Sequence, residues 1–226
     1  MVWEGTPMKI VIINGSPRIN GLTAGILHAL EKSLIKQGAD VEFFNLSELS
    51  MSQCRGCCAC YTTGHCHMND DAEKLSGVIG EADGLILGTP TYASNVSGYM
   101  KVLIDRGHFV IEQLLNGKYC VTVTTGENYG SRDAARVLKN LVHYSGGNLA
   151  GNIVVNAPFN GGVSGSVGKA SERAGRKLFQ AVSTNKKYPL QSMFQRVVFS
   201  FGIRPFVMKK GEKYHGVTSK WKEYGV

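Results

Sequence analysis

The sequence predicts an α/β fold: a three-layer sandwich in which a five-stranded parallel sheet, ordered 2-1-3-4-5, carries helices on both faces. Three observations lead there. Residues 9–14, 83–89 and 119–124 are apolar or nearly so without alternation, as strands covered on both faces are. Segments of helical period stand between them, and parallel strands need such crossovers. A Gly-rich turn follows the first run, where an open parallel sheet presents its ligand cleft.

The elements follow in order. Lys-Ile-Val-Ile-Ile-Asn at 9–14 is the first strand, ended by Gly15. Leu22, Ile26, Leu27, Leu30 and Leu34 recur at helical spacing until Gly38 stops the pattern. Residues 41–44 form the second strand. A cysteine-rich segment leads into a short helix at 71–79, which Asp70 and Asp71 cap. The third strand is 83–89, followed by one helix over 96–109. The fourth strand is 119–124, a helix covers 132–144, and the fifth strand is 152–156. The Gly-rich stretch 160–168 predicts a mobile loop before a last helix at 167–183. Residues 1–185 thus make one domain with a cysteine-rich insertion at 54–66. Residues 186–226 differ, with Phe194, Phe199, Phe201, Phe206, Tyr214, Trp221 and Tyr224 set among many charges. They read as a C-terminal arm, too short to fold alone, that packs on the domain or on a partner subunit.

Composition narrows the function. With 43% hydrophobic and 19% charged residues, the chain can bury a sizeable core and is not disordered. No apolar run reaches the roughly 18 residues that a membrane helix needs; the best stretch, 197–207, contains Arg204 and Pro205. The opening Met-Val-Trp-Glu-Gly-Thr-Pro lacks the basic start and apolar stretch of a signal peptide, which makes the cytoplasm the expected compartment. There thiols stay reduced, and clustered cysteines bind metal or do redox work. The net charge of +8 favours anions such as nucleotide phosphates. No RNA-binding or helix-turn-helix pattern accompanies it, so nucleic acid is not an expected partner.

Three segments carry chemistry. In the turn from Asn14 to Thr23, Ser16, Asn20 and Thr23 offer side-chain donors, Arg18 offers charge, and Gly15 and Gly21 allow close backbone approach. The turn runs into a helix N-terminus, which favours an anion. It matches neither the Lys-Ser/Thr phosphate loop nor Gly-x-Gly-x-x-Gly. The second segment, Gly88-Thr89-Pro90-Thr91-Tyr92-Ala93-Ser94-Asn95, follows the third strand and faces the first turn across the switch point. Tyr92 presents an aromatic face, and backbone N–H groups can bind the polar edge of a flat ring.

The third segment holds Cys54, Cys57, Cys60 and Cys66 in C-x2-C-x2-C-x5-C spacing, with Cys58 inside the run and Cys120 far outside it as a core residue. Thiolates this close can converge on a soft metal or a cluster. Bacterial ferredoxin runs end in a gap of three followed by Pro; here the gap is five and His67 follows. An iron–sulfur cluster, zinc held with His65 or His67, and free thiols all remain open on spacing alone.

Gly-Ser-Pro-Arg after the first strand, Pro-Thr-Tyr after the third, and Gly98-Tyr-Met-Lys101 followed by Asp105-Arg106 resemble the NAD(P)H-dependent FMN reductase superfamily of flavodoxin-like folds. The cysteine run followed by Asp70-Asp71 resembles the iron–sulfur flavoproteins within it. The likeness spans roughly residues 8–185. It implies that Ser16, Arg18, Asn20, Leu22 and Thr23 hold the FMN phosphate. It sets the isoalloxazine against Pro90, Thr91, Tyr92, Ala93, Ser94 and Asn95. A third loop, Thr125-Gly126-Glu127-Asn128-Tyr129-Gly130, closes the ring edge. Cys54, Cys57, Cys60 and Cys66 become the ligands of one [4Fe–4S] cluster and Cys58 a spectator.

The implied activity is an FMN-dependent oxidoreductase that couples two-electron flavin chemistry to one-electron transfer. NAD(P)H or ferredoxin would be the donor, and quinones, oxygen species or metal ions the acceptors. The flavin carries the chemistry and needs no acid–base residue; Asp105 and Arg106 read as a structural pair. A homodimer or homotetramer is implied, with the flavin near a subunit boundary. Three alternatives stand beside this reading: a cluster-free NAD(P)H-dependent FMN or quinone reductase, a flavodoxin-type electron carrier, and a zinc-stabilised binding module. The carrier fits least, because flavodoxins are usually acidic and lack both a cysteine insertion and a basic arm.

Overall fold

The computed structural model describes residues 7–158 and 161–226. The opening residues 1–6 and Asn160, at the head of the Gly-rich stretch, lie outside them. Among the described residues six strands form, in chain order β1 (Lys9–Asn14), β2 (Asp40–Asn45), β3 (Gly84–Tyr92), β4 (Asn95–Val96), β5 (Tyr119–Gly126) and β6 (Asn148–Asn156). Five run parallel in the order β2-β1-β3-β5-β6, which is the expected 2-1-3-4-5 arrangement. The sixth, β4, folds back antiparallel on the end of β3, pairing Thr91 with Val96 and Tyr92 with Asn95. Ala93 and Ser94, the two residues of that tight turn, both have positive φ (48° and 60°), as a type I′ hairpin requires. The loop expected after the third strand is therefore a hairpin.

Burial explains the sequence pattern. Every residue of β5 is buried, and so is all of β3 except Tyr92. One face packs α1 (Leu22–Ile35) and α7 (Gly165–Ser183), around Ile12, Leu27, Leu30, Val121 and Leu178. The other packs α3 (Asp71–Glu81), α4 (Gly98–Arg106) and α6 (Ser131–Tyr144), around Ile13, Leu87, Met100, Leu103 and Leu138. A short helix, α2 (Ala59–Thr63), lies inside the cysteine segment, and another, α5 (Phe109–Glu112), follows α4.

Several expected boundaries move for local reasons. The helix expected over 96–109 is two helices: Ser97 caps α4, and His108 breaks the chain with φ 52°. The last strand starts at Asn148 rather than 152, with an irregularity opposite Cys120 and Val121 that hid its period. Helix α7 starts at Gly165, capped by Ser164, so it takes up the end of the stretch expected as loop.

Residues 186–226 hold more structure than their sequence suggests. They form α8 (Pro189–Val198), a π-helical segment (Phe199–Ile203), α9 (Arg204–Met208) and α10 (His215–Glu223). Gln191 brackets the backbone of Leu149 on the edge strand β6, donating to its carbonyl and accepting from its N–H. Trp221 donates to the Ile111 carbonyl at 2.9 Å. Val207, Val217 and Trp221 form a small separate core with Tyr61, Ile111, Phe199, Ile203 and Tyr214. Among the described residues, no helix is long and apolar enough to cross a membrane.

Candidate functional site

The first and second loops are bound to each other at the sheet's C-terminal edge. The Gly15 N–H donates to the Gly88 carbonyl at 2.7 Å, and the Ser97 hydroxyl donates to the Gly15 carbonyl at 2.6 Å. A Cβ on Gly15 would stand 3.0 Å from Met100 Cβ and 3.1 Å from the Gly88 carbonyl oxygen, tighter than an ordinary contact, so a side chain here would press the two loops apart. The third loop joins them: Thr23 and Thr125 share a buried hydroxyl–hydroxyl hydrogen bond of 2.7 Å. A Cβ on Gly130 would fall 2.6 Å from Ser94 Oγ, so the third loop also rests on the hairpin turn.

These ties gather most of the expected ring-and-phosphate residues. Ser16, Arg18, Leu22, Thr23, Pro90, Tyr92, Thr125 and Gly126 line one cleft, together with Gly21 and Ala157. Asn20 is exposed and stands outside it, as do Ala93, Ser94 and Asn95 on the hairpin. Thr91 is buried, and its hydroxyl has no partner among the described residues. At the mouth of the cleft Gly21 caps α1 without a side-chain hydrogen bond, and the first turn of α1 has no acidic residue. The free N–H groups and positive end of this helix suit a phosphate. An FMN fits these residues in kind: an anion seat at the start of α1 and an aromatic wall at Tyr92.

The cysteine segment builds a second cavity of about 290 Å³. Cys54, Cys57, Cys58, Cys60 and Cys66 line it with Tyr61, His67, Arg106, His108 and Phe109. All six cysteines of the chain are free thiols, and Cys120 is fully buried in β5, where burial pushes its thiol up to about 12. Cys58, read as a spectator, lines the cavity with the four expected ligands. Cys57 Sγ lies 3.5 Å from His67 Nδ1, and Cys58 Sγ lies 3.5 Å from the Gly56 carbonyl. His65 is held by Glu73 at 2.7 Å instead. Among the described residues, no three His, Cys, Asp or Glu side chains are gathered closely enough to hold a metal ion. The four sulfurs fit a soft centre in chemistry and in sharing one cavity. Cys54 and Cys57 lie on an exposed stretch without regular structure, so closing them onto one point disturbs no helix or strand.

Helix α3 anchors both ends of this segment. Asp71 accepts from the Ser50 N–H at 2.8 Å, Asp70 from the Ser52 N–H at 3.0 Å, and Glu73 from the Cys66 N–H at 3.0 Å. Asp70 also caps α3 through the Ala72 N–H. The expected Asp105–Arg106 pair does not form. Asp105 lies on the outer face of α4 and pairs with Lys101 one turn away. Arg106 points inward and grips both oxygens of Asp70, each at 2.8 Å. It also donates to the Ser52 carbonyl at 2.7 Å and to Cys66 Sγ at 3.4 Å. The Arg106 hydrogen bonds outweigh burial and hold the Asp70 carboxyl at about 2.

His108 stands across the cavity, paired with Glu112 at 2.9 Å. Burial opposes its charge, but hydrogen bonds to Cys60 and Glu112 prevail and raise it to about 10. A buried guanidinium and a half-buried imidazole thus line the cavity with the thiols. Sequence reading missed His108, Glu73 and the inward turn of Arg106, because nothing local distinguishes them from surface charges. It also missed the arm's role: Tyr214 stacks on Tyr61 with centroids 4.7 Å apart, and Thr62 donates to the Lys213 carbonyl at 3.0 Å.

Comparison with known proteins gives consistent findings. The model of the NADPH-dependent FMN reductase family matches residues 8–162. An iron–sulfur flavoprotein of Clostridioides difficile (strain 630) is 35% identical over 224 residues, covering 97% of this chain and 100% of that protein. An iron–sulfur flavoprotein of Archaeoglobus fulgidus is 29% identical, covering 96% and 99%. Among solved structures, an NADH:FMN oxidoreductase in its apo form superposes with a TM-score of 0.60 at 20% identity, covering 82% of this chain and 94% of that one.

Proposed function

Because the chain belongs to the NADPH-dependent FMN reductase family and is a flavin-dependent oxidoreductase, we propose that it couples its flavin to a [4Fe–4S] cluster held by Cys54, Cys57, Cys60 and Cys66. The observation that carries this reading is that all four thiols line one cavity together with the buried Arg106 guanidinium, which donates to Cys66 Sγ. Names alone support it less: both relatives are called iron–sulfur flavoproteins, which describes them.

Bound FMN supplies hydride acceptance and single-electron release, and the cluster supplies one-electron transfer. The protein's residues bind and orient. Ser16, Arg18 and the uncapped start of α1 take the phosphate. Pro90 and Tyr92 wall the ring on one side, and Thr125 and Gly126 approach from the third loop. Backbone N–H groups at this rim stabilise negative charge on the ring. Arg106 holds its positive charge against this cysteine site through Cys66 Sγ. NAD(P)H or reduced ferredoxin is the donor in this reading.

The assembly is a homo-oligomer, supported by exposed apolar side chains along the arm: Leu190, Met193, Val197 and Phe201. The free thiols support a reducing compartment such as the cytoplasm.

The test is an anaerobic absorption spectrum with iron and sulfide analysis, after reconstitution with iron and sulfide and addition of FMN. Flavin bands with about four irons and four sulfides per chain are expected. Flavin without iron leaves a cluster-free NAD(P)H-dependent reductase. Zinc without sulfide leaves a structural metal site.

A further inference from the structure

Arg106 has a contact still to make. Its side chain is 1% exposed, and its two terminal nitrogens are used by Asp70, the Ser52 carbonyl and Cys66 Sγ. Its Nε has no partner among the described residues. A buried guanidinium N–H left unpaired is costly, so a partner from outside the protein chain is the simplest explanation. The side chain lines the cavity that the five clustered cysteines also line. The guanidinium already reaches one of those cysteines, at Cys66 Sγ, so a negative group held by them is an acceptor next to it.

We propose that Arg106 hydrogen-bonds the group held by Cys54, Cys57, Cys60 and Cys66, through Nε to the group itself and through its terminal nitrogen to Cys66 Sγ, and thereby sets that group's reduction potential. The inference rests on the cluster reading given above. A donor to sulfur stabilises the more negative, reduced state, because one-electron reduction adds one negative charge next to a buried cation. Asp70 works against it: its carboxylate neutralises part of the guanidinium and keeps the side chain in place. Arg106 and Asp70 should therefore move the potential in opposite directions.

This opposition separates tuning from mere scaffolding. The protein is reconstituted anaerobically with iron and sulfide, and its cluster is titrated by electron paramagnetic resonance. Arg106→Lys keeps a cation for Asp70 but removes Nε and the planar fork. It should lower the reduced-to-oxidised ratio at a fixed potential at least tenfold, about 59 mV for a one-electron couple. Asp70→Asn keeps the helix cap and leaves the guanidinium less neutralised, so it should raise that ratio. The FMN affinity of both variants should match the parent, since neither residue lines the flavin cleft.

Shifts of the same sign in both variants, or no shift in either with about four irons bound, overturn the proposal. If Arg106→Lys holds no iron, Asp70→Asn decides by the sign of its shift. If the parent protein itself takes up no iron and sulfide, the cluster reading has failed and this inference falls with it.

Discussion

Asp70 joins three jobs in one side chain: it caps α3, holds the Ser52 N–H, and pairs with Arg106 in a buried setting, at 9% and 1% side-chain exposure. Its carboxyl is held at about 2, below the ordinary value of 3.8. A lowered carboxyl stabilises the fold above its unfolded value, and that stability is lost as pH falls through the folded one. The window here is about pH 4 down to 2, and the contribution is roughly 2 kcal/mol. Asp70→Asn should cost about that much in urea unfolding at neutral pH and remove this part of the acid sensitivity. A variant that loses stability between pH 4 and 2 as steeply as the parent counts against the pairing.

Arg18 gives a second residue-scale test. Arg18→Glu places negative charge at the anion seat, and FMN affinity should fall about tenfold, or about 1.4 kcal/mol. Riboflavin lacks the phosphate, and its affinity should hardly change. Equal losses for both ligands in fluorescence titration would place the phosphate elsewhere.

At the scale of elements, the informative contact is between α2 and α10. Gly216, in the first turn of α10, lies against the end of α2, where a Cβ on it would collide with the Gly64 nitrogen and stand 2.7 Å from the Thr63 carbonyl carbon. Both neighbours are backbone, so no side chain can turn aside. Gly216→Ala must push α10 from α2, at a cost of about 1–3 kcal/mol from overpacking. Tyr61 and Tyr214 would lose their stack, and the helix carrying Cys60 would loosen. Faster alkylation of the clustered cysteines is expected with FMN binding preserved, since the flavin loops lie on other elements. Unchanged alkylation would mean that the arm does not steady the cysteine segment.

At the scale of the whole molecule, charge and apolar surface concentrate in one place. Residues 186–226 hold nine of the 25 Lys and Arg residues but only two of the 17 Asp and Glu residues, so the arm carries +7 of the net +8. The same arm exposes Phe201 at 83% and Leu190 at 78%. Apolar groups so exposed are expected to be covered by a second copy. Phe201→Asp should shift the mass seen in sedimentation toward the monomer; a monomeric parent would remove the oligomer reading altogether.

Much of this architecture could be read along the chain. The buried strands β1, β3 and β5 announce themselves as short apolar runs, because residues covered on both faces need no polar partner. The two ligand loops follow from where those runs stop, and the cysteine motif is a matter of spacing within 13 residues. Each is a local pattern, decided by a few neighbouring side chains. What the folded molecule alone decided are pairings between distant segments: Arg106 with Asp70, 36 positions apart, and Thr62 with Lys213, 151 apart. The sequence offers Arg106 beside Asp105, a plausible pair. On α4 adjacent residues point about 100° apart, so one faced solvent and Lys101 while the other turned inward to the cysteines. Which partner a charge finds depends on where the chain returns, and no short stretch of residues records that.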